Sequence, residues 1–213
     1  MTPLPSRFYP VVPDAAWVRR LVPAARLVQL RLKDRPEAEI RRQAAEAAAI
    51  CRAHGALLVL NDHWRIAIDL GLEALHLGQE DLEAADLPAI RAAGLRLGIS
   101  THSEAELDAA LAARPDYVAL GPVYPTTLKV MPWAPQGLPR IGEWKRCMGV
   151  CPLVAIGGIT LERAAGCLEA GADCVAVVSD VTGHPAPEHR ARAWLATVNA
   201  GNCQDRSADA SHP

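Results

Sequence analysis

Two neighbouring apolar runs of this chain each end in a carboxylate. Leu57-Leu58-Val59-Leu60 is followed by Asn61-Asp62, and Ala74-Leu75-His76-Leu77-Gly78 by Gln79-Glu80-Asp81. If both runs are parallel strands of one sheet, Asp62 and Asp81 stand side by side beyond its edge. Two such carboxylates repel unless something positive lies between them. Mg²⁺ is a suitable occupant, because it takes one or two carboxylates and leaves its other positions for water and phosphate. The pair therefore points to chemistry on a phosphorylated or diphosphorylated substrate. The alternative is a helix cap, since Asp is common there; Asp81 could cap the segment 82–90.

Other chemistry-bearing residues sit at the ends of similar runs. Arg31 and Lys33 close Gln29-Leu30-Arg31-Leu32-Lys33, Ser100, Thr101 and His102 follow another run, and Thr126, Thr127 and Lys129 lie beyond a third. Of 22 basic residues only three are lysine (Lys33, Lys129 and Lys145), and two of those three fall at run ends. Lysine presents a compact point charge with three donors, which suits diphosphate oxygens. Ordinary surface lysines are the competing reading. Asn61 stands directly before Asp62. Gly157-Gly158-Ile159-Thr160 lets backbone N–H groups face a phosphate, with Val178 and Ser179 on the next run; a plain tight turn is the alternative. His76 lies inside its run and reads as a packing or hydrogen-bonded residue. His102 reads as a polar residue at a strand end.

The elements that must position these residues are legible. Eight β-type apolar runs occupy 8–12, 27–32, 57–60, 74–78, 96–100, 117–121, 153–157 and 174–179. Most lack strict alternation, as expected for strands covered on both faces. Helical spacing fills the gaps, most clearly over 36–54, with Ile40, Ala44, Ala47 and Ile50 on one stripe and Gly55 as a stop. Ser103 and Thr160 are placed as N-caps. Strand and helix repeated eight times predict an α/β fold, a single (β/α)8 TIM barrel whose site lies at the C-terminal ends of the strands. An open doubly wound sheet ranks lower, as no G-x-G-x-x-G follows the first strand. The barrel is expected over residues 1–200 and a disordered tail over 201–213. Residues 122–137 are too long for an ordinary connection and suggest a lid.

Composition excludes several classes. The chain has 213 residues, net charge −2 and no basic block, which disfavours nucleic acid and anionic membrane as partners. No apolar run approaches a membrane span, and the N-terminus lacks a signal-peptide layout, so a cytoplasmic location is expected. The six cysteines form no C-x-x-C pair and read as reduced and structural. The barrel's outer helices could carry a homo-oligomer interface, although no residue pattern marks one.

Taken together, these blocks resemble the thiamine-phosphate synthase family from about Phe8 to about Val198. The matching blocks are Gln29–Lys33 with Asp34, Asn61-Asp62-His63, the run from His76 to Asp81, Gly98-Ile99-Ser100-Thr101-His102, residues 121–129, 154–160 and 176–179. The resemblance implies a TIM barrel that joins a hydroxymethylpyrimidine diphosphate to a thiazole phosphate with Mg²⁺, releasing pyrophosphate. It implies Asp62 and Asp81 as metal ligands. Arg31, Lys33, Asn61 and Lys129 would grip the diphosphate, with Ser100 close to the pyrimidine and Gln29, Leu30 and Leu32 also among the substrate-binding residues. Thr126, Thr127 and Leu128 would lie at the thiazole, and Gly158, Val178 and Ser179 would hold its phosphate. Arg31, Lys33, Ser100 and Lys129 would be catalytic. One position departs: the family pattern Pro-Thr-x-Thr-Lys reads Pro125-Thr126-Thr127-Leu128-Lys129 here. Related thiazole tautomerases, which need no diphosphate site, and a non-catalytic precursor-binding paralogue are the rival readings.

Overall fold

The apolar runs become eight parallel strands: β1 (Phe8–Val12), β2 (Leu27–Leu30), β3 (Leu57–Asn61), β4 (Ala74–Leu77), β5 (Arg96–Thr101), β6 (Tyr117–Leu120), β7 (Leu153–Ile156) and β8 (Cys174–Val177). They hydrogen-bond in sequence order, and β8 pairs with β1 to close the barrel. The computed structural model describes residues 3–126 and 134–208, the last eight as backbone only.

Among the described residues ten helices cover the outside: α1 (Ala15–Leu21), α2 (Glu37–His54), α3 (Trp64–Asp69), α4 (Gln79–Glu83), α5 (Leu87–Ala92), α6 (Glu104–Ala112), α7 (Gly137–Met148), α8 (Ala164–Glu169), α9 (Ser179–Thr182) and α10 (Pro187–Ala208). The longest predicted helix forms as α2. Glu37 and Glu39 face its first-turn dipole, Ile40, Ala44, Ala47, Ala48 and Cys51 are buried, and Gly55 ends it in a left-handed conformation (φ 64°). Ser103 caps α6 by accepting from the Glu106 N–H. Thr160 makes no such side-chain bond; a 3₁₀ turn (Leu161–Arg163) precedes α8.

One expectation needs correction. Asp81 does not cap a helix over 82–90. It lies inside α4, and Asp86 caps α5 by accepting from the Ala89 N–H at 2.9 Å. Helix α10 continues past residue 201 to Ala208, since a lone Gly201 costs a helix about 1 kcal/mol relative to Ala but does not stop it; residues 209–213 of the tail expected over 201–213 lie outside the described residues.

Two apolar cores result from the alternation of side chains along each strand. Leu30, Leu32, Leu58, Leu60, Leu75 and Leu77 point outward and pack under the helices. Tyr9, Val11, Leu27, Val59, Tyr117, Val154 and Ala176 point inward and fill the barrel. Among the described residues no helix is long and apolar enough to cross a membrane.

Candidate active site

Inward parity, continued to the strand ends, assembles the site. On and just beyond β2 the residues that alternate with Leu30 and Leu32 face the axis, so Gln29 and Arg31 line a cavity of about 360 Å³. Asn61, His76 and Ser100 from the next three strands line it as well, with Thr126, Gly158, Val178 and Ser179 on the opposite side. The expected substrate contacts thus divide. Gln29, Arg31, Asn61, Ser100, Thr126, Gly158, Val178 and Ser179 converge on one space. The side chains of Leu30 and Leu32 are buried in the outer core, because β alternation turns them away from the cavity, which leaves only their backbone to face a ligand there. Thr127, Leu128, Lys129 and the middle of the expected lid lie outside the described residues.

The carboxylates and cations form a cluster beyond the strand ends. Lys33 Nζ donates to Asp62 Oδ2 at 2.7 Å. Asp62 stands at positive φ (68°), a conformation Asp tolerates better than most residues. Its N–H still continues the barrel ladder to the His76 carbonyl at 2.8 Å, so the turn comes at the last paired residue. Asp81 faces Asp62. Its carboxyl is raised above the usual range by burial first and then by the charge and hydrogen bond of Asp62, while Lys33 pulls the other way. Gln79 Nε2 donates to the Ser100 carbonyl at 2.6 Å and ties this corner to β5.

The opposite side is built from backbone. Gly158 (φ 63°) lies so close to the Tyr124 and Pro125 carbonyls that an added Cβ would stand 2.4 Å from one of them. Val123 and Tyr124 N–H groups donate to Ile156 and Gly157, and Gln136 and Gly137 donate back to Pro122 and Val123. Both feet of the 122–137 connection are therefore fastened to each other and to the end of β7. Arg163 Nη1 donates to the Gly158 carbonyl at 2.6 Å while its guanidinium lies over the Tyr124 ring.

Sequence reading passed over Tyr9, which lines the cavity, and Tyr117 behind it. Tyr9 Oη is 2.9 Å from Tyr117 Oη, which is 2.9 Å from His76 Nδ1; His76 Nε2 is 2.8 Å from Ser100 Oγ. The available signal was parity: both tyrosines occupy inward positions, and a buried phenol usually finds a partner. Burial lowers His76 to about 4, so the ring is neutral near pH 7. His102 also reaches the cavity wall and is held by Glu106, 2.8 Å from Nδ1.

A sequence profile described as thiamine monophosphate synthase matches residues 9–181. The chain belongs to that family. A thiamine-phosphate synthase of Rhizobium etli is 60% identical over 192 residues, covering 90% of this chain and 94% of that protein. One from Cronobacter sakazakii is 52% identical over 186 residues, covering 86% and 89%. The solved thiamine phosphate pyrophosphorylase from Pyrococcus furiosus superposes with a TM-score of 0.79 at 26% identity, covering 91% of this chain and 96% of that one. Within this synthase family the cavity lies where TIM-barrel sites lie, at the C-terminal ends of the strands. The described cysteines are unpaired. Burial pushes the Cys51 thiol up to about 12 and those of Cys151 and Cys167 to about 11, which leaves them inert.

Proposed function

We propose that this chain is a thiamine-phosphate synthase that joins hydroxymethylpyrimidine diphosphate to a thiazole phosphate, giving thiamine monophosphate and pyrophosphate. The observation that carries this reading is the Asp62–Asp81–Lys33 cluster beside Asn61 and Arg31 at the cavity. A tautomerase needs no diphosphate grip and has no use for such a cluster.

The donor set fits Mg²⁺. Burial first, and then the charge of Asp62, raises the Asp81 carboxyl above its ordinary value, and a hard cation between the two carboxylates relieves their repulsion. Among the described residues no group of three or more His, Cys, Asp or Glu gathers as a complete metal site. Two carboxylates supplemented by phosphate oxygens and water suit Mg²⁺ better than a metal that needs an all-protein cage. When bound there, Mg²⁺ would neutralise charge on the departing diphosphate.

The chain's own residues would do the rest. Arg31, Lys33, Asn61 and Lys129 hold the diphosphate as its C–O bond breaks and both electrons leave with pyrophosphate, a step helped by preorganised positive charge. The pyrimidine ring delocalises the cation left on the methylene. Thr126, Thr127 and Leu128 lie at the thiazole, and Gly158, Val178 and Ser179 hold its phosphate through backbone N–H groups and hydroxyl. The thiazole nitrogen then gives its lone pair to form the new C–N bond. No protein nucleophile is required. The 122–137 connection would cover the site and keep water from the cation. Free thiols, four of the five described ones buried, suit a cytoplasmic setting.

The test is direct. The protein with both substrates and Mg²⁺ is expected to form thiamine monophosphate, and chelator or Asp62→Ala should abolish it. Absence of product at high enzyme and substrate, with the thiazole phosphate still bound, would favour the tautomerase or paralogue reading.

A further inference from the structure

The cavity floor carries a chain of hydrogen bonds whose direction can be worked out by accounting for each proton. Gln29 Nε2 is 3.0 Å from Tyr9 Oη and can only donate. Tyr9 Oη has one other side-chain partner, Tyr117 Oη at 2.9 Å. If Tyr9 did not donate to Tyr117, its proton would be buried without an acceptor, which is costly and which buried hydroxyls rarely bear. Tyr117 must then donate to its remaining partner, His76 Nδ1 at 2.9 Å. A neutral imidazole that accepts at Nδ1 carries its proton on Nε2. That proton goes to Ser100 Oγ at 2.8 Å. The Ser100 hydroxyl proton is left over, and Ser100 lines the cavity.

The arrangement is built for this purpose at a second level. Gly98 faces Tyr117 across the β5–β6 ladder, and a Cβ on Gly98 would stand 2.0 Å from the tyrosine ring. Only the missing side chain lets Tyr117 reach across to His76, on whose ring it stacks at 5.6 Å.

We propose that Gln29, Tyr9, Tyr117 and His76 form a one-way hydrogen-bond relay that fixes Ser100 as a donor into the cavity, so that the site selects a ligand with an acceptor, an aromatic ring nitrogen, at that point. The four are positioning residues that act through Ser100. The ligand half of the inference rests on the reading that the pyrimidine lies against Ser100. With the Gln29 amide turned over, every bond would reverse and Ser100 would present lone pairs to an amino group instead. The His76 tautomer therefore reports the direction.

The experiment is ¹⁵N spectroscopy of histidine-labelled protein at neutral pH, with His76 assigned by its loss in His76→Gln. The relay requires Nε2–H in the native protein; Nδ1–H or a doubly protonated ring overturns it. Gln29→Glu offers only acceptors, so it should reverse the chain and move the proton to Nδ1. A folded Gln29→Glu protein that keeps Nε2–H also overturns the proposal. Should that variant fail to fold, a ligand measurement stands in its place. A pyrimidine diphosphate analogue with C–H in place of the ring nitrogen is expected to bind native protein about tenfold more weakly than the parent, as for one lost hydrogen bond, and Ser100→Ala should erase that difference. Discrimination that persists in Ser100→Ala sinks the donor role. The tautomer is read without turnover, so loss of the synthase reading and loss of the relay are separate results.

Discussion

At position 128 a leucine stands where the family pattern Pro-Thr-x-Thr-Lys has its second threonine. The change removes a hydroxyl expected at the thiazole substrate, and one neutral hydrogen bond contributes about 0.5–1.5 kcal/mol. Leu128→Thr is accordingly expected to lower the KM for thiazole phosphate about two- to tenfold, with kcat little changed. Steady-state kinetics with the pyrimidine substrate saturating would show it, and an unchanged or higher KM would refute the assignment of this position. His76 yields a second residue-scale prediction. Its pKa falls from 6.5 to about 4 chiefly through burial, with the field of Asp62 opposing and Arg31 assisting. The folded value lies below the unfolded one, so the unfolded chain takes up the proton first as pH drops. Stability from this group is complete above pH 6.5 and is lost between 6.5 and about 4, reaching roughly 3 kcal/mol. Urea midpoints measured across that window should fall in the native protein and fall less in His76→Gln. Equal slopes would show that carboxylates alone set the acid limb.

At the scale of elements, α9 shows how a very short helix is held in place. Asp180 follows Ser179 and is nearly enclosed. It accepts from Arg190 Nε at 2.9 Å, Arg190 Nη2 at 2.8 Å and Trp194 Nε1 at 2.6 Å, all on α10. Glu162 shares the same guanidinium. Asp180→Asn leaves a mostly buried Arg190 with one remaining carboxylate and is expected to cost about 1–3 kcal/mol. If Ser179 holds the thiazole phosphate, the variant should also raise that KM while sparing the pyrimidine KM; equal effects on both would argue for general loosening instead. These elements differ in how readily the sequence reveals them. All eight strands lie within two residues of their expected ends, because each is an apolar run closed by a glycine, proline or polar residue. The convergence of Arg31, Asn61 and Ser100 follows from those ends alone. What the sequence could not reveal depends on contacts between distant segments. Tyr9 and Tyr117 meet across 108 residues, and their encounter depends on barrel closure and stagger that no local pattern encodes. Asp86 displaced Asp81 as a cap because a turn after Ala84 divides one apparent helix into two.

For the whole molecule, closure joins the start of the chain to its end. β1 pairs with β8 through Phe8, Tyr9 and Pro10, and the Phe8 ring stacks on Trp194 of α10 at 5.6 Å and 11°. Trp194 is fully buried, and its indole N–H is satisfied by Asp180. One side chain thus connects the first strand, the last helix and the clamp behind α9. A barrel closed in this way has no free edge at which unfolding can begin independently, and the outer core runs continuously from Phe8 to Val198. Trp194→Ala empties a large buried volume and strands a carboxylate hydrogen bond, so a loss of about 3–5 kcal/mol is expected. Because closure couples every strand, that loss should appear as a lower urea midpoint of one cooperative transition with the same slope. A biphasic curve, with one transition left at the native midpoint, would mean that the seam between β1 and β8 opens separately from the rest of the barrel.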